Sequence, residues 1–209
     1  MAFPAFFTQA PRIVLHDPLA QLLGASDDGR IEYGYEDAVR LAGHSCPTVA
    51  GAWLMTVHAL RALYPGETPE RGNVLVEFAD SATNGVTGVI ANVVSLVTGS
   101  TTDTGFKGLG GRYDRRDLLR FDQHDLSGEI AFIRRDTGAG VDVSYSAQRV
   151  PPSAAAMPLL QKILTGHASD AQKQEFGQLW QDRVRRILEA ADQPGVITVS
   201  QRQPSSQVH

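Results

Sequence analysis

Residues 43–47 read Gly-His-Ser-Cys-Pro and set the chain's single cysteine two residues after a histidine. Thiolate and imidazole are good ligands for a borderline-soft metal such as zinc. They are also the commonest parts of a cysteine-based catalytic site, with Cys46 as nucleophile and His44 as its base. Pro47 suits the first position of a helix, where its missing N–H costs nothing. Cys46 therefore falls at a helix mouth, where unpaired amides and the helix dipole favour the thiolate. Two ligands do not complete a zinc site, which takes three or four. His16, in Leu15-His16-Asp17-Pro18, is the first candidate for a third metal ligand, because a neighbouring carboxylate can orient an imidazole. Asp103 is the second candidate, and two copies of the chain could also pool ligands. A lone cysteine cannot close an internal disulfide, and a small buried hydrophobe is the remaining explanation for it.

A second constellation lies at residues 100–116. Lys107 sits among Gly105, Gly108, Gly110 and Gly111, with Arg112, Arg115 and Arg116 following. Glycine-rich backbone can cradle an anion with its N–H groups, and nearby cations add to that. The Walker order of glycines, lysine and hydroxyl is absent. The expectation is an anion clamp of Ser100, Thr101, Lys107 and Arg112 folded over the Cys46 site. A solvated surface loop is the plainer alternative.

The elements that must position these groups follow from periodicity. Arg12 to Leu15 and Leu19 to Leu23 read as short extended pieces. A turn follows at Asp27-Asp28-Gly29, then a short strand at 30–35 and one or two helical turns at 36–41, which Gly43 ends. Residues 48–64 form a helix interrupted only by Thr56, His58 and Arg61, so it is buried almost all round. Its nearly all-apolar surface predicts a homodimer. His58 lies about 18 Å along this helix from Cys46 and cannot share its site. Residues 73–79 alternate as a strand. Residues 85–97 carry one apolar face at helical spacing, with Gly99 as the cap. The charged stretch 112–121 suggests another helix. Asp136 to Gly140 is a hairpin turn between strands at 129–135 and 141–146. Helices at 154–164 and 171–191 follow, the second with a Ser169/Gln172 capping box, and a last strand at 196–199. Asn92 interrupts an apolar helix and is assigned to packing. His124, His167 and His209 receive no role.

With 209 residues, 42% hydrophobic and 20% charged, the chain is long enough to bury a core without a structural metal. A net charge of −4 argues against sequence-independent nucleic-acid binding. No run is long and apolar enough to span a membrane, and the first residues do not read as a signal peptide. The expected location is the cytoplasm. The mixture of elements, without strict β-α alternation, predicts an α+β fold in one domain over 1–200, with 201–209 a frayed tail.

With these pieces placed, the chain resembles the FmdE family, named after a component of formylmethanofuran dehydrogenase. The family's His-Gly-His-x-Cys-Pro-Gly signature appears as Ala42-Gly43-His44-Ser45-Cys46-Pro47-Thr48. Its later Thr-Gly-Cys-Thr appears as Thr98-Gly99-Ser100-Thr101, preceded by Asn92 where the family often has aspartate. The Gly-Lys-Gly-type loop appears as Gly105-Phe106-Lys107-Gly108. The resemblance covers residues 36–146. Ala42 replaces one family histidine and Ser100 one family cysteine. The resemblance implies a mixed sheet of about five strands flanked by helices, here with a helical C-terminal segment. It also implies a transition-metal site, zinc first, of which His44 and Cys46 remain. The leading expectation is thus a metal-binding protein that can hold a small or anionic ligand. A metal-free cysteine enzyme or redox protein and a non-catalytic carrier of a metal or cofactor are the alternatives.

Overall fold

The computed structural model describes residues 3–202. Its centre is the apolar segment, which forms helix α3 (Pro47–Leu63). Cys46 caps its first turn and Pro47 opens it. Trp53, Leu54, Met55 and Leu60 are fully buried. Each such side chain contributes about 1.5–3 kcal/mol by leaving water. α3 lies against one face of a sheet, and helices cover its remaining sides. These are α2 (Tyr35–Ala42), α4 (Thr87–Thr98) and α6 (Asp170–Glu189). α5 (Ala156–Leu164) packs in turn on α6. Burial within a single copy accounts for the apolarity of α3, so the expectation of a dimer loses the ground it was drawn from.

The sheet has five strands in the order β4-β3-β5-β6-β7: Leu119–Arg120, Val74–Phe78, Ile130–Arg134, Gly140–Tyr145 and Ile197–Arg202. β3 and β4 are parallel and the other pairs antiparallel. The sheet is mixed and the fold is α+β, as expected. Register matters for function, because it gives the sheet two distinct ends. Val74 pairs with Arg134 at one end, and Phe78 with Ile130 at the other. Arg134 donates to the Leu63 carbonyl at 3.3 Å, which fixes the first end beside the C-terminus of α3. Tyr145, at the opposite end, lies against Gly51 near the start of α3.

Outside the main sheet, β1 (Ile13–His16) and β2 (Arg30–Tyr33) form a two-stranded ribbon that the sequence did not reveal as a pair. Three further expectations are corrected. Residues 19–23 are not extended: Pro18–Leu22 is helix α1. The Asp17 carboxylate accepts the Leu19 and Ala20 N–H groups, and the Asp-Pro pair is the start signal. Residues 112–121 form turns leading into β4 rather than a helix. Tyr113 and Asp117 adopt positive φ, which no helix accommodates. Gln201 and Arg202 belong to β7 and not to a tail. Arg202 bonds Asp142 at 3.1 Å, and 203–209 lie outside the described residues. Among the described residues no helix is long and apolar enough to cross a membrane.

Candidate functional site

α2 ends at Gly43, which takes a left-handed φ of 75° and donates its N–H to the Val39 carbonyl. A side chain would strain this position, so glycine lets the chain turn at once toward α3. The turn consists of His44, Ser45 and Cys46, and it is gripped at its middle. The Ser45 hydroxyl pairs with the hydroxyl of fully buried Tyr35 at 2.9 Å. The Ser45 carbonyl accepts Trp180 Nε1 and Gln181 Nε2, both at 3.1 Å. Those two donors come from α6, more than 130 residues later, and no local signal announces them.

The grip fixes the residues on either side. His44 is exposed, and its Nδ1 lies 2.9 Å from the Ala42 carbonyl. A carbonyl only accepts, so Nδ1 carries the proton and the neutral ring keeps its lone pair on Nε2. An imidazole held this way is a metal ligand or a base with a defined reactive nitrogen. Cys46 is half-buried, and its sulfur accepts the Val49 N–H at 3.5 Å. That contact closes the first turn of α3 on the sulfur.

Around the thiol the walls are aromatic and polar. Tyr145 lies close enough to Cys46 to feel a thiolate charge, and burial pushes its hydroxyl up to about 12 despite Arg183 nearby. It is a proton donor at neutral pH. The Tyr145 hydroxyl and the Gln181 Oε1 are both buried without a hydrogen-bond partner among the described residues. Neither residue was singled out from sequence. An isolated tyrosine and glutamine on amphipathic elements carry no signal until tertiary structure brings them together.

The other predicted groups lie elsewhere. The His16 backbone bonds Pro69 and Arg71, and its ring reaches Gln21 at 3.2 Å. Pro69 and Arg71 follow the C-terminal end of α3, which at 17 residues is about 25 Å long. Within one copy His16 does not join Cys46. The carboxylate beside it, Asp17, turns instead to Arg71 and Arg115. Ser100 is fully buried and donates to the Val74 carbonyl at 2.7 Å, on the same distant side. The Thr101 hydroxyl donates to the Arg115 carbonyl. Asp103 and Lys107 are exposed on the loop these residues anchor, and Arg112 is exposed beyond it. The loop does not cover the Cys46 site, because a buried hydrogen-bond chain ties its root to the other end of the sheet. Serine and threonine there serve the backbone rather than a ligand. Asn92 sits on the exposed face of α4, so its amide reaches water and needs no partner. His58 is largely covered, its Nε2 3.8 Å from Asp192, and burial lowers its pKa.

Among the described residues no three His, Cys, Asp or Glu side chains converge as a metal-holding group. His44 and Cys46 at the α3 mouth have no third such side chain beside them among the described residues. A family model described as "FmdE, Molybdenum formylmethanofuran dehydrogenase operon" matches residues 41–194, about three quarters of the chain. That span extends well beyond the residues that carried the resemblance, through α6 and its two clamp residues. Among curated proteins none matches.

Proposed function

The chain belongs to the FmdE family, and from that premise we propose that it binds a transition metal reversibly through His44 Nε2 and Cys46 Sγ. The observation that carries this reading is the grip on Ser45, which orients a lone pair and a thiol two residues apart before any ligand arrives. Such preorganisation is what a binding site requires and what a surface loop lacks. Zinc suits the donor pair best. A bound metal with open positions supplies Lewis acidity or a seat for a small ligand. The remaining ligands come from that small molecule or from a second copy of the chain. An incomplete set suits an accessory protein that takes up a metal and passes it on. Such a role belongs in a reducing cytoplasm, where Cys46 stays a thiol.

Metal content of untagged protein purified without chelator, followed by zinc titration, tests the reading. One zinc per chain is expected where a small molecule completes the site, or one per two chains where a second copy does, and it is lost in both Cys46→Ala and His44→Ala. A wild type that is metal-free and cannot be loaded would overturn it. Sedimentation with and without zinc then identifies a second copy as the source of the missing ligands.

One observation favours a metal-free alternative. The Cys46 sulfur already has a partner in the Val49 amide at the helix mouth, without any metal. Among the described residues, however, no hydrogen bond joins His44 to Cys46, so the pair does not form a nucleophile–base dyad in this conformation. Alkylation of Cys46 against pH separates the two readings. A reactive thiolate that persists below pH 7 in a protein with no zinc affinity supports the thiol enzyme.

A further inference from the structure

We propose that the pocket at the far end of α3 binds a phosphate group, free or carried on a small molecule. The pocket is about 400 Å³ in volume and is walled by residues 70–73 and 111–115 together with Arg135. It lies about one helix length from Cys46 and is independent of the metal site proposed there.

Charge is the first reason. Arg71, Arg112, Arg115 and Arg135 all line the pocket. Behind them a single buried carboxylate, Asp17, serves two of the four: Arg115 at 2.8 Å and Arg71 at 3.0 Å. Of the two carboxylates on the wall, Asp114 is held through both oxygens by Arg116. Among the described residues the other, Glu70, has no cation within ion-pair distance. Arg135 contacts the Gly72 carbonyl and Arg112 lies over the Tyr113 ring, and among the described residues neither has a carboxylate within ion-pair distance. The positive charge is thus underbalanced along the pocket wall.

Buried charge is the second reason. Arg115 is only 5% exposed, and its Nη1 is buried without an acceptor among the described residues. Arg71 Nε is in the same condition. Buried charge with an unpartnered donor is costly, and an anion in the pocket offsets it through space rather than by a hydrogen bond to these two closed-off atoms. The backbone makes room for this arrangement. Gly72 has a φ of 86° and no Cβ, and a side chain there would collide with the Arg115 guanidinium. The glycine lets the guanidinium lie against the backbone at the pocket wall.

Geometry selects phosphate over carboxylate. A carboxylate offers two coplanar oxygens, which one guanidinium fork satisfies. Phosphate offers three or four tetrahedral oxygens and up to two charges. Four guanidiniums arriving from three separate chain segments match that distribution. The volume exceeds that of a bare ion and leaves room for the remainder of a small phosphorylated molecule.

Calorimetric titration of the full chain with inorganic phosphate in 150 mM chloride is the test, with acetate as a parallel titrant. Saturable binding at one site is expected, weakened at least tenfold in Arg112→Gln/Arg135→Gln. Both of those side chains are exposed and lie outside the Asp17 network, so this variant should unfold at the wild-type temperature. If the double variant proves unstable, Arg112→Gln alone should weaken binding at least threefold. Absent saturation, unchanged affinity in the folded variant, or acetate binding as tight as phosphate would each overturn the proposal.

Discussion

The two ends of α3 hold charge and reactivity in opposite ways. At its N-terminal end, Cys46 and His44 keep a sulfur and a ring nitrogen available, and the protein invests its hydrogen bonds in the peptide between them. At its C-terminal end, Asp17 and Arg115 are buried, Arg71 is half-buried, and the carboxylate ties both arginines. One end positions groups for an outside partner, whereas the other neutralises its own charges and retains a surplus. A reactive group can be left exposed at little cost, but a buried charge must be answered within the fold.

The largest effect that would test this contrast is at Asp17. Asp17→Asn leaves two guanidiniums facing each other without their shared carboxylate, and should cost about 3–5 kcal/mol of stability in urea unfolding. A loss near zero would mean that the far end is no more locked than the near one. Burial by itself pushes the Asp17 carboxyl up, but Arg115, the Ala20 amide and Arg71 outweigh it and leave the pKa below its ordinary 3.8. The unfolded chain therefore takes up this proton first as pH falls. The stability that Asp17 contributes is full above about pH 4 and is lost below it. Asp17→Asn should remove that part of the acid dependence.

Next in size is Gly51→Ala, which drives a methyl into the Tyr145 ring beside the thiol. Overpacking should cost about 1–3 kcal/mol, against a helix-propensity gain of about 1 kcal/mol. A stabilised variant, read from its melting temperature, would show that the Cys46 end repacks freely. Cys46→Ala loses the cap on Val49 and the sulfur's contact with the core edge, and should cost about 1 kcal/mol. A much larger loss would mark the cysteine as structural and blur the contrast.

Milder still is the pH response of His58. Burial lowers its pKa below 6.5, so the neutral ring is favoured in the folded chain. Below pH 6.5 the unfolded chain binds the proton more readily, and stability should decline slightly as the pH falls further. His58→Gln should flatten that slope in chemical denaturation between pH 7 and 5. His44→Ala should change stability by less than about 0.5 kcal/mol, as exposed sites usually do. It should nevertheless abolish zinc uptake, and that separation of stability from binding is the sharpest form of the comparison.

Much of this molecule follows from sequence alone. The period of residues 48–64 dictated a helix buried almost all round, and the alternation at 73–79 a strand. Gly43 and Gly99 closed their helices, and the His44-Ser45-Cys46-Pro47 run sat at a helix mouth for reasons local to the backbone. Local rules also explain the errors. A charged stretch at 112–121 looks helical until the positive φ of Tyr113 and the burial of Arg115 are known. Only tertiary structure decided what surrounds each group, because side chains distant in sequence share a site through packing that no window of residues contains. It separated Ser100 and His16 from Cys46, since a 17-residue helix keeps its two ends about 25 Å apart. It brought Trp180 and Gln181 onto Ser45 from across the chain, and it gathered Asp17, Arg71 and Arg115, with 98 positions between first and last, around one buried carboxylate.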